Sequence, residues 1–293
     1  MRIPNFLIVA FCTMLMTACA QQQDLPQPDF FPNNTNTTAN NTTNNNPVSR
    51  TSDGVIDVEI YVLLEGPYQS EEKIMQANLN SARGLLPGQA LIGLGQATPA
   101  GQPYTESPWS FHEEIQSLAF TNYPPDVVDW VLVSFRTDKT SDTEIAKTSA
   151  YLHAEGRITF PNLENIRAIG DYEELYIVIE HRNHMGVMSP ERVEVLDGTI
   201  VYDFRTQDSY RVSTSYGQKE MPSRDWVMLA GDVDQISDDY SYDINAYDKV
   251  DWVEDNGTFG YYKRSDLNLD GDISMQDKAL WAENNGKLSV VPK

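Results

Sequence analysis

Oxygen-bearing side chains fall at alternate positions from Asp266 to Asp270, and a glycine follows at once. The whole segment reads Asp-Leu-Asn-Leu-Asp-Gly-Asp-Ile-Ser-Met-Gln-Asp over residues 266–277. A hard divalent cation such as calcium takes six to eight oxygens, and this spacing can wrap them around one point. Asp266, Asn268 and Asp270 supply loop positions 1, 3 and 5. Gly271 at position 6 permits the sharp turn, and Asp272 at position 7 offers its backbone carbonyl. Ser274 at position 9 can hold a water, and Asp277 closes the loop at position 12.

The pattern occurs twice. Asp248-Lys249-Val250-Asp251-Trp252-Val253-Glu254-Asp255-Asn256-Gly257 lines up with Asp277-Lys278-Ala279-Leu280-Trp281-Ala282-Glu283-Asn284-Asn285-Gly286 at a constant offset. Each copy reads as a loop, a short helix and an Asn-Gly stop, because glycine accepts the left-handed conformation past a helix end. Self-similarity at a fixed period marks a repeated supersecondary unit.

The first loop is irregular. One alignment places Asp232 and Asp234 at positions 1 and 3, loops out an insertion, and closes through Asp243 to Asp248. The other keeps register and puts Ser237, Asp239 and Ser241 at positions 1, 3 and 5, with Tyr242 where glycine belongs. The first is preferred for its carboxylates. It gives a second, weaker calcium site of Asp232, Asp234, Asp243 and Asp248. The bland reading of such acids is a solvated face.

Two loop–helix units that end on Asp rather than Glu resemble the type I dockerin pair. The resemblance implies an EF-hand-like, calcium-folded helical domain over residues 228–288, with a cohesin-like protein as partner. In dockerins, loop positions 10 and 11 help choose that partner. Here they are Ala246 and Tyr247 in one copy and Met275 and Gln276 in the other. They differ, which speaks against symmetric docking and for an intramolecular cap with Trp252 and Trp281 buried against the rest of the chain.

The opposite end of the chain reads as an export signal. Arg2 is followed by an apolar run from Ile3 to Ala18 that is too short to span a bilayer comfortably. The run ends in Met16-Thr17-Ala18-Cys19, which resembles a bacterial lipobox. That resemblance makes residues 1–18 a signal peptide and Cys19 a lipidated first residue that anchors the chain to a membrane. Ala20, rather than Asp, then points to an outer-membrane lipoprotein. Residues 19–50 carry a Gln and Asn/Thr-rich tract with almost no apolar content, and read as a disordered tether. Both cysteines of the chain, Cys12 and Cys19, lie in this leader. The rest must therefore draw its stability from packing or bound metal, not from disulfides.

The formal net charge is -22. From Asp225 to Asp277 the only bases are Lys249, Lys263 and Arg264. This excludes a nucleic-acid partner and electrostatic attraction to anionic lipid.

Residues 52–224 read mainly as strands. Ile56, Val58, Ile60, Val62 and Leu64 alternate with more polar neighbours. Val127–Arg136, Tyr151–His153, Arg157–Phe160, Tyr176–His181 and Thr199–Phe204 complete the set, with Ala154-Glu155-Gly156 as a hairpin turn. Short strands between Gly, Pro, Asn and Asp clusters imply a mainly β fold: an antiparallel β-sandwich followed by the small helical domain. A short helix is expected over Ser70–Leu79 and a long crossing loop over Leu85–Pro108.

The ordered set Leu64-Glu65-Gly66-Pro67-Tyr68, Gln102-Pro103-Tyr104, Asp129-Trp130-Val131-Leu132-Val133 and His181-Arg182-Asn183-His184-Met185-Gly186-Val187-Met188 resembles a module of uncharacterised bacterial secreted proteins. There too a calcium-repeat tail follows, beginning Gly-Asp-Val. The resemblance spans residues 55–286 and implies a surface setting but no reaction.

His181 and His184 invite a zinc reading, which needs a third ligand from elsewhere. The alternative is a structural turn in which Arg182 pairs an inner acid. No Gly-x-Ser-x-Gly elbow, phosphate loop or His-Glu-x-x-His is present. Glu113-Glu114 and Glu173-Glu174 are paired acids, and Trp109, Trp130, Tyr104 and Tyr123 offer a sugar-stacking platform. The expectation is a non-enzymatic surface protein. Its alternatives are a carbohydrate-binding module of a polysaccharide-utilisation system and a hydrolase.

Overall fold

The apolar stretch from Val127 to Arg136 becomes the central strand. The computed structural model describes residues 56–89, 98, 100–113, 122–233, 243–259, 262–288 and 290–292. The expected leader, Cys19, the tether and Asp234 lie outside these residues. Strands β1 (Asp57–Tyr61), β2 (Tyr68–Gln69), β3 (Ile74–Met75), β4 (Val127–Arg136), β5 (Glu144–His153) and β6 (Ile158–Thr159) come first. They are followed by β7 (Glu174–Glu180), β8 (Val187–Met188), β9 (Val193–Leu196), β10 (Thr199–Asp203), β11 (Gln218–Glu220) and β12 (Trp226–Met228). Helices α1 (Asp248–Asp255) and α2 (Met275–Asn284) close the chain.

Every residue of β4 is buried. Its β-branched and aromatic side chains suit a pleated surface covered on both faces, and β5 and β7 flank it on its two edges. The main sheet runs β1-β10-β9-β7-β4-β5-β6, with β8 also on β7. All its pairings are antiparallel except β1 with β10, which is parallel. The mainly β character expected from the alternation is therefore present, with one parallel pair inside it. The two ends of the path meet, since Tyr61 bridges Arg157 and the Val62 N–H donates to the Gly156 carbonyl at 2.8 Å. A sheet whose ends meet leaves few open edges and encloses its own core.

Two local features position the site. In β4 the register slips between Val127 and Asp129, so Val128 is an extra residue against the step from His153 to Leu152. Such a bulge re-aims side chains. Here both Val128 and Asp129 are fully buried. Gly66 follows the β1 segment, and a Cβ there would stand 1.7 Å from the Leu267 carbonyl oxygen. Only glycine lets the sheet approach the C-terminal loop so closely.

Some expectations change. Ser70–Leu79 is not a helix: β2 and β3 pair antiparallel there, and a π-helical turn follows over Asn78–Arg83. Met75 and Leu79 of that segment are buried while Ile74 is exposed, so no helical stripe faces the core. The aromatic platform is also absent. Tyr104, Tyr123 and Trp130 are buried and Trp109 is half-buried, all in the main core. The Tyr104 hydroxyl donates to the Trp130 carbonyl at 2.8 Å, and Trp130 Nε1 donates to the Tyr123 hydroxyl at 3.1 Å. Buried tyrosine and tryptophan need such partners, which fixes these rings as packing rather than as a sugar shelf. Residues Arg50–Lys293 form one compact unit, so the repeats pack into the same body as the sheet.

Candidate metal centre

The second loop is built from its last residue backward. Ser274 caps α2, its hydroxyl accepting the Gln276 N–H at 3.1 Å, while Asp277 Oδ2 accepts the Ser274 N–H at 2.8 Å. This capping box orients Asp277 for a second task. Its Oδ1 accepts the N–H of Leu267 at 2.8 Å and of Asn268 at 3.2 Å, which closes the loop. Asp266 accepts the N–H of Asp270 at 3.1 Å on Oδ1 and of Gly271 at 2.9 Å on Oδ2. Asp270 Oδ1 accepts the Asp272 N–H at 2.8 Å, and Asn268 Oδ1 that of Asp270 at 3.2 Å. Gly271 has φ +86°, the conformation expected at position 6. Asp272 turns its carboxylate outward to Arg83 Nη2 at 2.6 Å, in keeping with a position that contributes only its main chain.

Acids are thus gathered where they repel one another. Asp266 is 1% exposed and Asp277 0%. Burial pushes the Asp266 carboxyl up to about 7; the charges of Asp277 and Asp270 add to this, and Arg182 opposes it. Burial also raises Asp277. Among the described residues no three His, Cys, Asp or Glu side chains stand converged on one point. The carboxylates rest on loop amides instead. Asp266, Asp270 and Asp277 with the Asn268 amide oxygen are an all-oxygen, charge-crowded set. That fits a hard cation, which would relieve the repulsion that burial creates.

The first loop repeats the same contacts. Asp248 Oδ1 accepts the Val233 N–H at 2.5 Å, and Oδ2 accepts the Asn245 N–H at 2.7 Å. Val233 and Asn245 therefore occupy the places of Leu267 and Ser274. Asp232 then precedes Val233 as Asp266 precedes Leu267. Asp232 is fully buried, and Asp243 accepts the Asn245 side-chain amide at 3.1 Å.

The copies exchange contacts. Trp252 Nε1 donates to the Ser274 carbonyl at 2.7 Å, and Trp281 Nε1 donates to the Asn245 carbonyl at 2.8 Å. Lys278 lies over Trp252 and Lys249 over Trp281. Gly257 N–H bonds the Ile273 carbonyl at 2.9 Å, and Gly286 N–H the Ile244 carbonyl at 2.7 Å. Each helix thus braces the other copy's loop in a pseudo-twofold arrangement. Trp281 also packs on Met185, Leu229 and Ile244.

The His181-Arg182-Asn183-His184 motif stands behind these loops. Arg182 Nε donates to Asp129 Oδ2 at 3.0 Å, both side chains being buried. His181 Nε2 meets the same carboxylate oxygen at 3.2 Å, and the Tyr262 hydroxyl donates to Asp129 Oδ1. His184 Nε2 accepts the Gly66 N–H at 3.3 Å, while its Nδ1 meets Asn183 Oδ1 at 2.8 Å. Burial lowers both histidines from the usual value, His184 well below it, while Asp129 opposes the shift at His181. His181 Nδ1 faces His184 Nδ1 at 3.1 Å. The two histidines thus sit in the structural turn, with Arg182 paired to the inner acid Asp129.

Sequence reasoning missed the residues that join the repeats to the sheet. Glu65 Oε2 accepts the Ala230 N–H at 3.0 Å and Asn284 Nδ2 at 2.6 Å. Asn284 also donates to the Ala230 carbonyl at 2.8 Å. Its counterpart Asp255 accepts the Ser265 hydroxyl at 2.5 Å. The repeat alignment places Asp255 and Asn284 together, and that was the available signal. Of the paired acids, Glu113 is taken up by Thr148, Ser149 and Asn165.

No protein-family model matches the chain, and no curated protein matches it. Two crystal structures of interface mutants of a type II cohesin–X–dockerin complex from Acetivibrio cellulolyticus are similar to it. The N-terminal interface mutant has 19% identity and TM-score 0.33, covering 54% of this chain and 82% of that one. The C-terminal interface mutant has 14% identity and TM-score 0.38, covering 80% of this chain and 98% of that one. Similarity at this level carries no argument about function.

Proposed function

We propose that the paired loops bind calcium as a structural ion, and that the chain is a non-enzymatic, lipid-anchored surface protein. The observation that carries the calcium reading is the matched closure of the two loops, by Asp248 onto Val233 and by Asp277 onto Leu267. When bound, the cation neutralises carboxylates that are buried together. Asp266, Asn268, Asp270 and Asp277, with the Asp272 carbonyl and a water on Ser274, would hold it in the second loop. Asp232 and Asp248 would begin and end the first. Metal affinity then becomes folding free energy. At calcium 100 times Kd the gain is about 2.7 kcal/mol, or roughly 5–10 °C in melting temperature.

A protein partner of the cohesin type is the second part of the reading. Tyr247 and Met275, at the partner-choosing loop positions, are 71% and 62% exposed, and Val250 and Val253 line the outer face of α1. The contacts of Trp281 and Asn284 with the sheet segments support a capping role for the same pair. The lipid anchor rests on the Cys19 motif; among the described residues no helix is long and apolar enough to cross a membrane.

Calorimetric calcium titration with melts in calcium and in chelator tests the proposal. Binding with a raised melting point, weakened in Asp266→Ala and more mildly in Asp232→Ala, is the expected result. No heat and no shift would remove calcium from the account.

A further inference from the structure

A calcium loop is as tight as its first ligand is well placed, and one residue next to the sheet bonds the main chain of Asp266 in one loop and of Gly231, just before Asp232, in the other. Asn183 is fully buried. Its side-chain nitrogen spends both hydrogens on the loop entry, donating to the Arg264 carbonyl at 2.8 Å and to the Asp266 carbonyl at 2.7 Å. Its side-chain oxygen faces His184 Nδ1, which fixes the amide's orientation. Its main-chain carbonyl accepts the Gly231 N–H at 3.0 Å, one residue before Asp232. The neighbouring bridge of His184 with Ala230 and the 2.8 Å bond from Met185 N–H to the Leu229 carbonyl extend that seam. On the other flank Arg182 donates to the Lys263 carbonyl.

We propose that Asn183 is a positioning residue for both calcium loops, fixing the main chain at Asp266 and at Gly231 beside Asp232 so that the cation meets a preformed first ligand. This rests on the calcium reading above. The residue type follows from the geometry. One nitrogen with two hydrogens must reach two carbonyls while an oxygen on the same short side chain accepts from a histidine, and asparagine alone supplies that set at this length. A loop already ordered by the sheet spends less of the binding energy on its own ordering, so affinity rises. Calcium affinity is then a property of the sheet and loops together, and loading is felt at residues 181–185.

The test is calcium titration of the full chain and of Asn183→Ala, each melted in calcium and in chelator. Loss of two neutral hydrogen bonds predicts about tenfold weaker binding at the second loop. It also predicts a smaller calcium-induced rise in melting temperature. A merely structural asparagine would lower both melting temperatures equally and leave that rise unchanged, which overturns the proposal. If the unaltered chain takes up no calcium, the underlying reading falls first and the two failures are distinguished. Should Asn183→Ala not fold, amide exchange on the unaltered chain decides. Calcium is expected to slow exchange at Gly231 and at residues 183–185 over the same concentration range as at Gly271. Protection there that ignores calcium overturns the assignment.

Discussion

Replacing Asp129 by asparagine should unfasten the sheet from the C-terminal loops. The carboxylate is fully buried and meets Arg182 Nε at 3.0 Å, His181 Nε2 at 3.2 Å and the Tyr262 hydroxyl. Asparagine keeps the shape and removes the charge, so the Arg182 guanidinium is left buried without its counter-ion. Breaking such a pair costs about 3–5 kcal/mol. A domain of this size loses roughly 2–4 °C of melting temperature per kcal/mol, so the expected drop is roughly 6–20 °C. The assay is thermal and urea unfolding in chelator, where bound ion cannot mask the loss. The pair Asp129→Val with Arg182→Met should recover most of it, since two well-packed apolar groups replace an ion pair at little cost. Acid unfolding gives an independent check. Burial by itself would raise the Asp129 carboxyl, but the Arg182 charge, with His181 and Tyr262, holds it down to about 2. A carboxyl lowered on folding contributes stability above its unfolded value near 4 and loses it as pH falls through 2. The parent should therefore lose about 2 kcal/mol from this group between those limits, and the asparagine variant none of it. An Asp129→Asn protein within about 1 kcal/mol of the parent would refute the reasoning.

Two further outcomes follow from the cross-bracing and the close approach. Trp252→Phe removes the donor to the Ser274 carbonyl and should weaken calcium at the second loop. Trp281→Phe removes the donor to Asn245 and should weaken the first, each by about 1 kcal/mol. Titrations in Asp232→Ala and Asp266→Ala backgrounds separate the two sites, and an effect confined to each tryptophan's own copy would refute the exchange. Gly66→Ala places a methyl 1.7 Å from the Leu267 oxygen, where neither backbone can yield without moving the loop. A loss of about 1–3 kcal/mol is expected in denaturant unfolding, and a parent-like midpoint would contradict the packing described.

What the sequence could determine alone was set by short-range chemistry. The loop from Asp266 to Asp277 is legible because one turn-forming glycine and a few spaced oxygens close it on its own amides. The tandem repeat is legible from its period, and β4, β7 and β10 from apolar runs and alternation. The helix expected over Ser70–Leu79 failed for the converse reason: a short segment with few apolar residues has no strong local preference, and burial of Met75 in the core goes with a hairpin instead. Tertiary structure alone decided the rest. Nothing near Asp129 in the sequence shows that a bulge in an apolar strand turns it toward Arg182 and Tyr262. The parallel partnership of β1 with β10 joins segments far apart in the chain. The closure of the first loop, Asp248 onto the Val233 amide, spans an irregular stretch of sequence that no spacing rule reads. The grip of Asn183 on both loop entries is likewise a contact between distant segments. Such contacts depend on where the closed sheet brings backbone amides and carbonyls together, and no local spacing encodes that.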